Sequence, residues 1–389
     1  MVHVERPKNA VLVGAESPLA TSIAERITEL IHGGDLAHGH GLPSEREMAS
    51  RFSVSRGVVR LALKQLTAHG VIESKANCRP IIRRTRRSSR LGRRQICIWL
   101  WPNMADFAAA TIMKGIQRAG IEDDVRLVVG HAQGGGWDSI YEAEARFLRN
   151  LADDPELNGA IIWLLGHERN LAPLEVLRRK GVPMVFIDRL PPTGFDADYV
   201  GTNNEAAAEA AVQHLIALGH RRIALLTNID RCSTVREREA GYRRALKDNN
   251  IAIDPNLILT DSVDEPEGVQ QLIAAALSLG ERPTALFCIN DHMAFQARDA
   301  ITQRNIAVPQ DMSIVGLDGI LRWVPQGGNL TTLHQDFQRI GQIAADLVME
   351  RMTMGPPTAY RHILLDAPLI DNGSTAPAHI SSSTGGCVT

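Results

Sequence analysis

Residues 42–66 read LPSEREMASRFSVSRGVVRLALKQL. Ser44 with Glu47 three positions on is a capping box, in which each side chain accepts from a backbone N–H left over at a helix start. A helix therefore begins behind Ser44 and ends near Phe52, and after a tight connection Ser55 caps the next one. Helical spacing in that second helix puts Val59, Ala62, Leu63 and Leu66 on one apolar face. Arg56 and Arg60, four residues apart, share the opposite face, with Gly57 at its front. Two short helices with arginines at the N-terminal turn of the second suit insertion into a DNA major groove. Arg pairs bidentately with guanine O6 and N7, and Gly lets the backbone come close.

The surroundings fit that reading. Ahead of this stretch, Leu19, Ile23, Ile27, Leu30 and Ile31 predict a further amphipathic helix, and behind it two short strands run to about residue 83. Between residues 42 and 94 there are 14 Lys or Arg against 3 acids, a local charge of +11 in a chain whose net charge is −2. A basic module on an acidic body is what a polyanion-binding domain looks like. Arg83 to Arg94 (RRTRRSSRLGRR) has no apolar face and reads as a solvated tether that binds duplex non-specifically.

From residue 95 the rhythm changes to short apolar runs alternating with amphipathic stretches: ICIWLW (96–101), VRLVV (125–129), GAIIWLL (159–165), PMVFI (183–187), RIALLT (222–227), TALFCI (284–289) and SIVGL (313–317). Strands apolar on both faces and separated by helices predict parallel sheets covered on both sides. About 280 residues of this exceed one core and predict two α/β lobes with a cleft between them. In such sheets ligands bind beyond the carboxyl ends of the strands. Asp188, Asn290 and Asp318 each follow a strand, and Arg238 lies on the helix after strand 222–227. A guanidinium there suits vicinal hydroxyls or a carboxylate.

Five scattered cysteines (Cys78, Cys97, Cys232, Cys288, Cys387) show no metal spacing and read as reduced thiols. Gly134-Gly135-Gly136 lacks the G-x-x-x-x-G-K frame of a phosphate cradle, so neither metal nor cofactor is expected. No apolar run reaches the roughly 20 residues of a membrane span, and the N-terminus lacks the layout of an export signal, so a cytoplasmic chain is expected.

The block Leu42-Pro43-Ser44-Glu45-Arg46-Glu47…Val54-Ser55-Arg56…Val59-Arg60…Ala62-Leu63…Leu66…Gly70 resembles the signature of GntR-type winged helix-turn-helix repressors. That resemblance implies phosphate contacts from Arg46 and base or phosphate contacts from Ser55, Arg56, Gly57 and Arg60, with Asn77 and Arg79 at the wing. The wing tip departs from the pattern, since Lys75-Ala76-Asn77-Cys78-Arg79-Pro80 stands where a Gly pair is usual. The C-terminal part is similar to the effector domains of the LacI/GalR family, themselves periplasmic-binding-protein-like. The matching residues are LIALGHRRIA (215–224), REAGY (238–242), Pro283-Thr284-Ala285, Asn290-Asp291, Val308-Pro309, SIVGLD (313–318), Leu330-Thr331-Thr332 and Gln335-Asp336-Phe337. This likeness implies an effector site made of Trp101, Phe107, Asp188, Thr234, Arg238, Asn290, Asp318 and Phe337. An aromatic usual on the second lobe falls at Val263. A GntR-type reader on a LacI/GalR-type sensor resembles arabinose-responsive repressors.

The expected architecture is α/β: an N-terminal winged helix-turn-helix (17–83), a basic linker (84–94) and a two-lobed periplasmic-binding-protein-like domain with parallel sheets (95–372). Its first lobe takes about 95–202 and 335–363, its second about 203–334 and 364–372, and a disordered tail follows (373–389). The expected function is that of a homodimeric, non-enzymatic repressor of a palindromic double-stranded operator, controlled by a sugar-like effector. Two rivals are weaker. A transport binding protein has no use for residues 42–66, and an enzyme built on Asp188, Asp291 and Asp318 lacks a nucleophile or metal motif.

Overall fold

The computed structural model describes residues 18–32, 42–68, 72–73, 80–82, 94–101, 107–119, 125–130, 136–229, 232–261, 266–320, 329–355 and 357–378. It divides into two compact units, Met1–Gly92 and Arg93–Thr389.

In the first unit, α1 (Pro18–His32), α2 (Glu45–Arg51) and α3 (Arg56–Ala68) precede an antiparallel pair, β1 (Ile72–Glu73) and β2 (Ile81–Ile82). Ile23, Ile27, Met48, Val59, Ala62, Leu63, Leu66 and Ile72 close one small core. The stripe of α1 is shifted from the expected one: Ala20, Ile23, Ala24 and Ile27 are buried, whereas Leu19 is half exposed. Small alanines there let α1 lie close against α3. Asn77 and Arg79 of the expected wing lie outside the described residues.

The second unit holds two six-stranded sheets. The first lobe contains β3 (Arg94–Trp99), α4 (Phe107–Arg118), β4 (Val125–Gly130), α5 (Trp137–Asp153), β5 (Leu157–Ile162), α6 (Leu171–Arg179), β6 (Met184–Ile187) and β7 (Asp198–Thr202). The second follows with α7 (Asn204–Ala217), β8 (Ile223–Asn228), α8 (Ser233–Asp248), β9 (Ile258–Asp261), α9 (Pro266–Ser278), β10 (Ala285–Cys288), α10 (Asp291–Thr302), β11 (Ser313–Asp318) and β12 (Thr331–His334). The chain then returns to the first lobe as α11 (Phe337–Met354) and β13 (His362–Leu365), and ends in the second as β14 (Leu369–Ile370). Strand orders are β13-β7-β6-β5-β3-β4 and β14-β12-β11-β10-β8-β9. All pairings are parallel except β12 with β14. Each order reverses once, between β3 and β5 and between β8 and β10. A crevice opens beyond the carboxyl ends of strands at such a reversal.

Two expectations are corrected. Arg94 is no linker residue: it opens β3 and is buried, its chain having already joined the sheet. The tail is ordered to residue 378. Ile314 N–H donates to the Ser374 carbonyl at 2.8 Å and Ala378 N–H to the Leu218 carbonyl at 2.8 Å, while Ser374 Oγ accepts from Thr331 N–H at 2.7 Å. Polar composition signals disorder only when the backbone has no other partner.

One buried ion pair ties α11 back to the first sheet. Arg351 forks onto Asp198 with bonds of 2.7 and 2.9 Å, and Arg361 N–H donates to the same carboxylate at 2.8 Å. Removing one partner leaves the other charge buried alone. Arg351→Met should therefore cost about 3–5 kcal/mol of stability in urea unfolding, and a loss below about 1 kcal/mol would show that water reaches Asp198 instead.

Candidate functional site

In the first unit the capping box forms as two reciprocal bonds, Ser44 N–H to Glu47 Oε2 at 2.7 Å and Glu47 N–H to Ser44 Oγ at 3.2 Å. Phe52 ends α2, Ser53 turns the chain with φ 52°, and the Ser55 carbonyl accepts from Val59 N–H as α3 begins. Arg46, Ser55, Arg56, Gly57 and Arg60 are all exposed. A residue the sequence reading passed over organises them. Glu45, at the start of α2, accepts Arg60 Nε at 3.2 Å and Nη2 at 2.8 Å, and lies 3.8 Å from Arg56 Nη2. The Arg60 hydrogen bonds hold the Glu45 carboxyl below its usual range. Glu45 thus gathers both arginines on one surface.

In the second unit the expected residues separate into groups. Arg238, on the second turn of α8, is buried with its fork turned to its own lobe: Nε donates to Asn204 Oδ1 at 2.8 Å and Nη1 to the Ile289 carbonyl at 2.5 Å. Nη1 is also 3.5 Å from Asp318 Oδ1. Asp318, at φ 140°, accepts Gln335 Nε2 at 2.7 Å. Burial pushes its carboxyl up to about 8, against the pull of Arg238 and with the charges of Asp291 and Asp188 adding to the push. Burial also raises Glu237, which Asn204 Nδ2 relieves by donating at 3.0 Å, and the Asp188 charge adds a smaller push. Asp188 belongs to the first lobe, so its field reaches both second-lobe acids across the cleft.

Thr234 is buried at the start of α8, 3.2 Å from Cys232 Sγ. One bond crosses between the lobes beside it, Leu190 N–H to Ser233 Oγ at 3.0 Å. Helix α8 is held in place by Gly241, where a Cβ would overlap the Glu205 carbonyl of α7. Asp188 sits at φ 60°, its carbonyl accepting Tyr199 Oη at 2.7 Å. Trp101 packs 5.4 Å from Trp137 and 6.0 Å from Trp163, with the Arg189 guanidinium 5.5 Å over its ring.

Three residues carry structural work. The Asn290 carboxamide oxygen caps α10 by accepting Met293 N–H at 2.8 Å. Phe337 is buried in the first lobe's core and meets Phe107 edge-to-face at 6.0 Å. Asp291 is saturated by Gly319 N–H at 2.8 Å, Ile320 N–H at 2.9 Å and Thr332 Oγ1 at 2.6 Å, which removes it as an acid/base group. A separate cavity of about 870 Å³ opens next to the cleft, bounded by His167, Glu168, Leu190, Asp196, Ser233 and Arg236. No group of three or more His, Cys, Asp or Glu that could hold a metal occurs among the described residues.

Comparison with known proteins agrees with this division. Residues 19–77 match the gntR family of bacterial regulatory proteins, and residues 212–375 match the periplasmic binding protein-like domain. The HTH-type transcriptional repressor PurR of Aliivibrio fischeri is 32% identical over 246 residues, covering 62% of this chain and 70% of that protein. The chain belongs to the LacI family of transcriptional regulators, with a gntR-type domain in front. It covers 63% of the PurR repressor of Vibrio atlanticus and 50% of that of Haemophilus influenzae PittEE, so it spans about half to two thirds of those relatives' length. A LacI family regulator from Enterococcus faecium with bound ribose shares the fold at TM-score 0.61 and 23% identity, covering 74% of this chain and 100% of that one. The transcriptional regulator CelR in complex with cellobiose does so at TM-score 0.62 and 22% identity, covering 86% and 100%. Among the described residues no helix is long and apolar enough to cross a membrane.

The raised Asp318 carboxyl fixes a pH dependence. Unfolded, it loses its proton near pH 3.9, whereas folded it keeps the proton to about pH 8. The native state therefore binds more protons across that interval, and stability falls as pH rises through it. Asp318→Asn should flatten this slope in unfolding measured at pH 5, 7 and 9. Parallel profiles for the two proteins would place the titration elsewhere.

Proposed function

We propose that this chain is a transcriptional repressor whose operator binding is set by a small sugar-like effector held between the lobes of its second unit. One observation carries the reading: a capped reading helix with arginines gathered on Glu45 and a polar, Arg238-centred cleft occur in one chain. The first reads DNA and the second senses the effector. Arg46 holds phosphate, Ser55, Arg56, Gly57 and Arg60 approach bases or phosphates, and Asn77 and Arg79 reach the minor groove from the wing. Asp188, Thr234, Arg238 and Asp318 take the effector's polar groups, while Trp101 offers an aromatic face; Phe107, Asn290 and Phe337 support them. The chain is not an enzyme. It acts in the cytoplasm as a homodimer on a palindromic duplex, because one reading head contacts few bases and two-fold symmetry doubles the readout. Effector and operator then oppose each other through one reciprocal coupling energy, about 1–3 kcal/mol in such systems.

Selection of duplexes with the full chain, followed by titration of its variants, tests the reading. Arg56→Ala should cost about 1–3 kcal/mol on the selected duplex and relax preference at one base pair, whereas Arg46→Ala should weaken all duplexes alike. Unchanged affinity for both variants at matched salt would remove the first unit from DNA reading.

A further inference from the structure

The backbone at Asp188 is strained, and the neighbouring strand holds it so. Its φ of 60° and the Arg189 N–H donated to the Ile187 carbonyl at 2.6 Å make residues 187–189 a γ-turn of the positive-φ kind, which a side chain disfavours. Such a turn persists only where its surroundings over-determine it. Strand β7 supplies the restraint. The Asp188 N–H donates to the Val200 carbonyl at 3.0 Å, and the Tyr199 hydroxyl donates to the Asp188 carbonyl at 2.7 Å. Tyr199 is buried in the first lobe's core, its ring edge-to-face with His362 of β13 at 5.5 Å. A Cβ at Gly201 would overlap its hydroxyl. Ring contact and glycine together fix where that hydroxyl lies. Burial raises its pKa well above the usual tyrosine range, so it stays a donor.

Two features of the cleft hang on this turn. One residue beyond it, Leu190 N–H donates to Ser233 Oγ of α8 at 3.0 Å, a bond between the lobes. On the turn itself, the Asp188 carboxylate is directed at the second lobe, where its charge pushes both Asp318 and Glu237 up. When the Tyr199 hydroxyl is removed, the turn loses that hold, and the chain relaxes toward the extended φ that a side chain prefers. Both groups then turn away. We infer that Tyr199 is a positioning residue: its hydroxyl keeps the 187–189 turn in the strained form that presents the Asp188 carboxylate to the cleft and the Leu190 amide to Ser233. That Asp188 then meets an effector rests on the function proposed above; its placement by Tyr199 does not.

Substitutions in the full chain test this without any sugar. Tyr199→Phe keeps the ring and removes the hydroxyl, whereas Gly201→Ala keeps the hydroxyl and displaces it. In both, the Arg189 and Leu190 amides should exchange with solvent roughly tenfold faster or more, beyond the change that global unfolding accounts for. NMR titration of the Asp318 carboxyl, identified by its loss in Asp318→Asn, then reads where the Asp188 charge lies. It should fall from about 8 in Tyr199→Phe, as the Asp188 push is withdrawn, and should fall also in Asp188→Asn. Adding Tyr199→Phe to Asp188→Asn should lower it no further, because no charge is left to position. A tyrosine that only packs the core would shift the titration equally in both backgrounds or in neither, and that result overturns the assignment. Unchanged exchange at Arg189 and Leu190 overturns it as well. Both measurements are made without ligand, so a failure of the parent protein to bind ribose in calorimetry would count against the effector reading alone.

Discussion

A guanidinium withdrawn from water must be enclosed by acceptors, and the enclosure of Arg238 sets the geometry of the whole cleft. Its partners come from three places distant in sequence: Asn204 at the start of α7, the Ile289 carbonyl after β10 and Asp318 at the end of β11. Each lies at the carboxyl edge of the second sheet. One side chain therefore fixes the loops that border the crevice where the strand order reverses. The same enclosure explains why burial raises the Asp318 carboxyl although a cation lies 3.5 Å away: Arg238 shares its charge with two other acceptors.

The reading domain uses the opposite arrangement. Glu45, Arg56 and Arg60 are paired at the surface, where an exposed ion pair adds little stability. Its effect is on position. Glu45 keeps two arginines on one face of α3, and on the proposed reading it must give them up when a phosphate or guanine competes for them. The two units thus put one chemistry to different ends, a buried arginine that is committed and exposed arginines that are available.

Much of this was legible in the sequence, for physical reasons. Capping, helix period and apolar strands are local patterns, so α2, α3 and the central strands of both sheets follow from residues 42–66 and from runs such as SIVGL. Edge elements did not announce themselves: β13 and β14 are short and half exposed, held by neighbours far along the chain. The order of residues 373–378 depends on partners such as Ser313 and Thr331, more than 40 positions away. Asp188 and Asp318 were readable because each stands at a strand end, and Arg238 because it lies on the helix after one. Glu45, Glu237, Asn204 and Gln335 were not, because what singles them out is a partner across the fold. The sequence likeness carried Phe337 and Asn290 into the site, where the structure finds a core ring and a helix cap.

The central claim is that cleft and reading helix are coupled within one molecule. A thermodynamic cycle measures this directly: sugar affinity with and without operator duplex, and operator affinity with and without sugar, on the same preparation. The account predicts that both arms change by the same factor, roughly 5- to 150-fold, because linkage is reciprocal. Equal sugar affinity in the presence and absence of bound operator would contradict it.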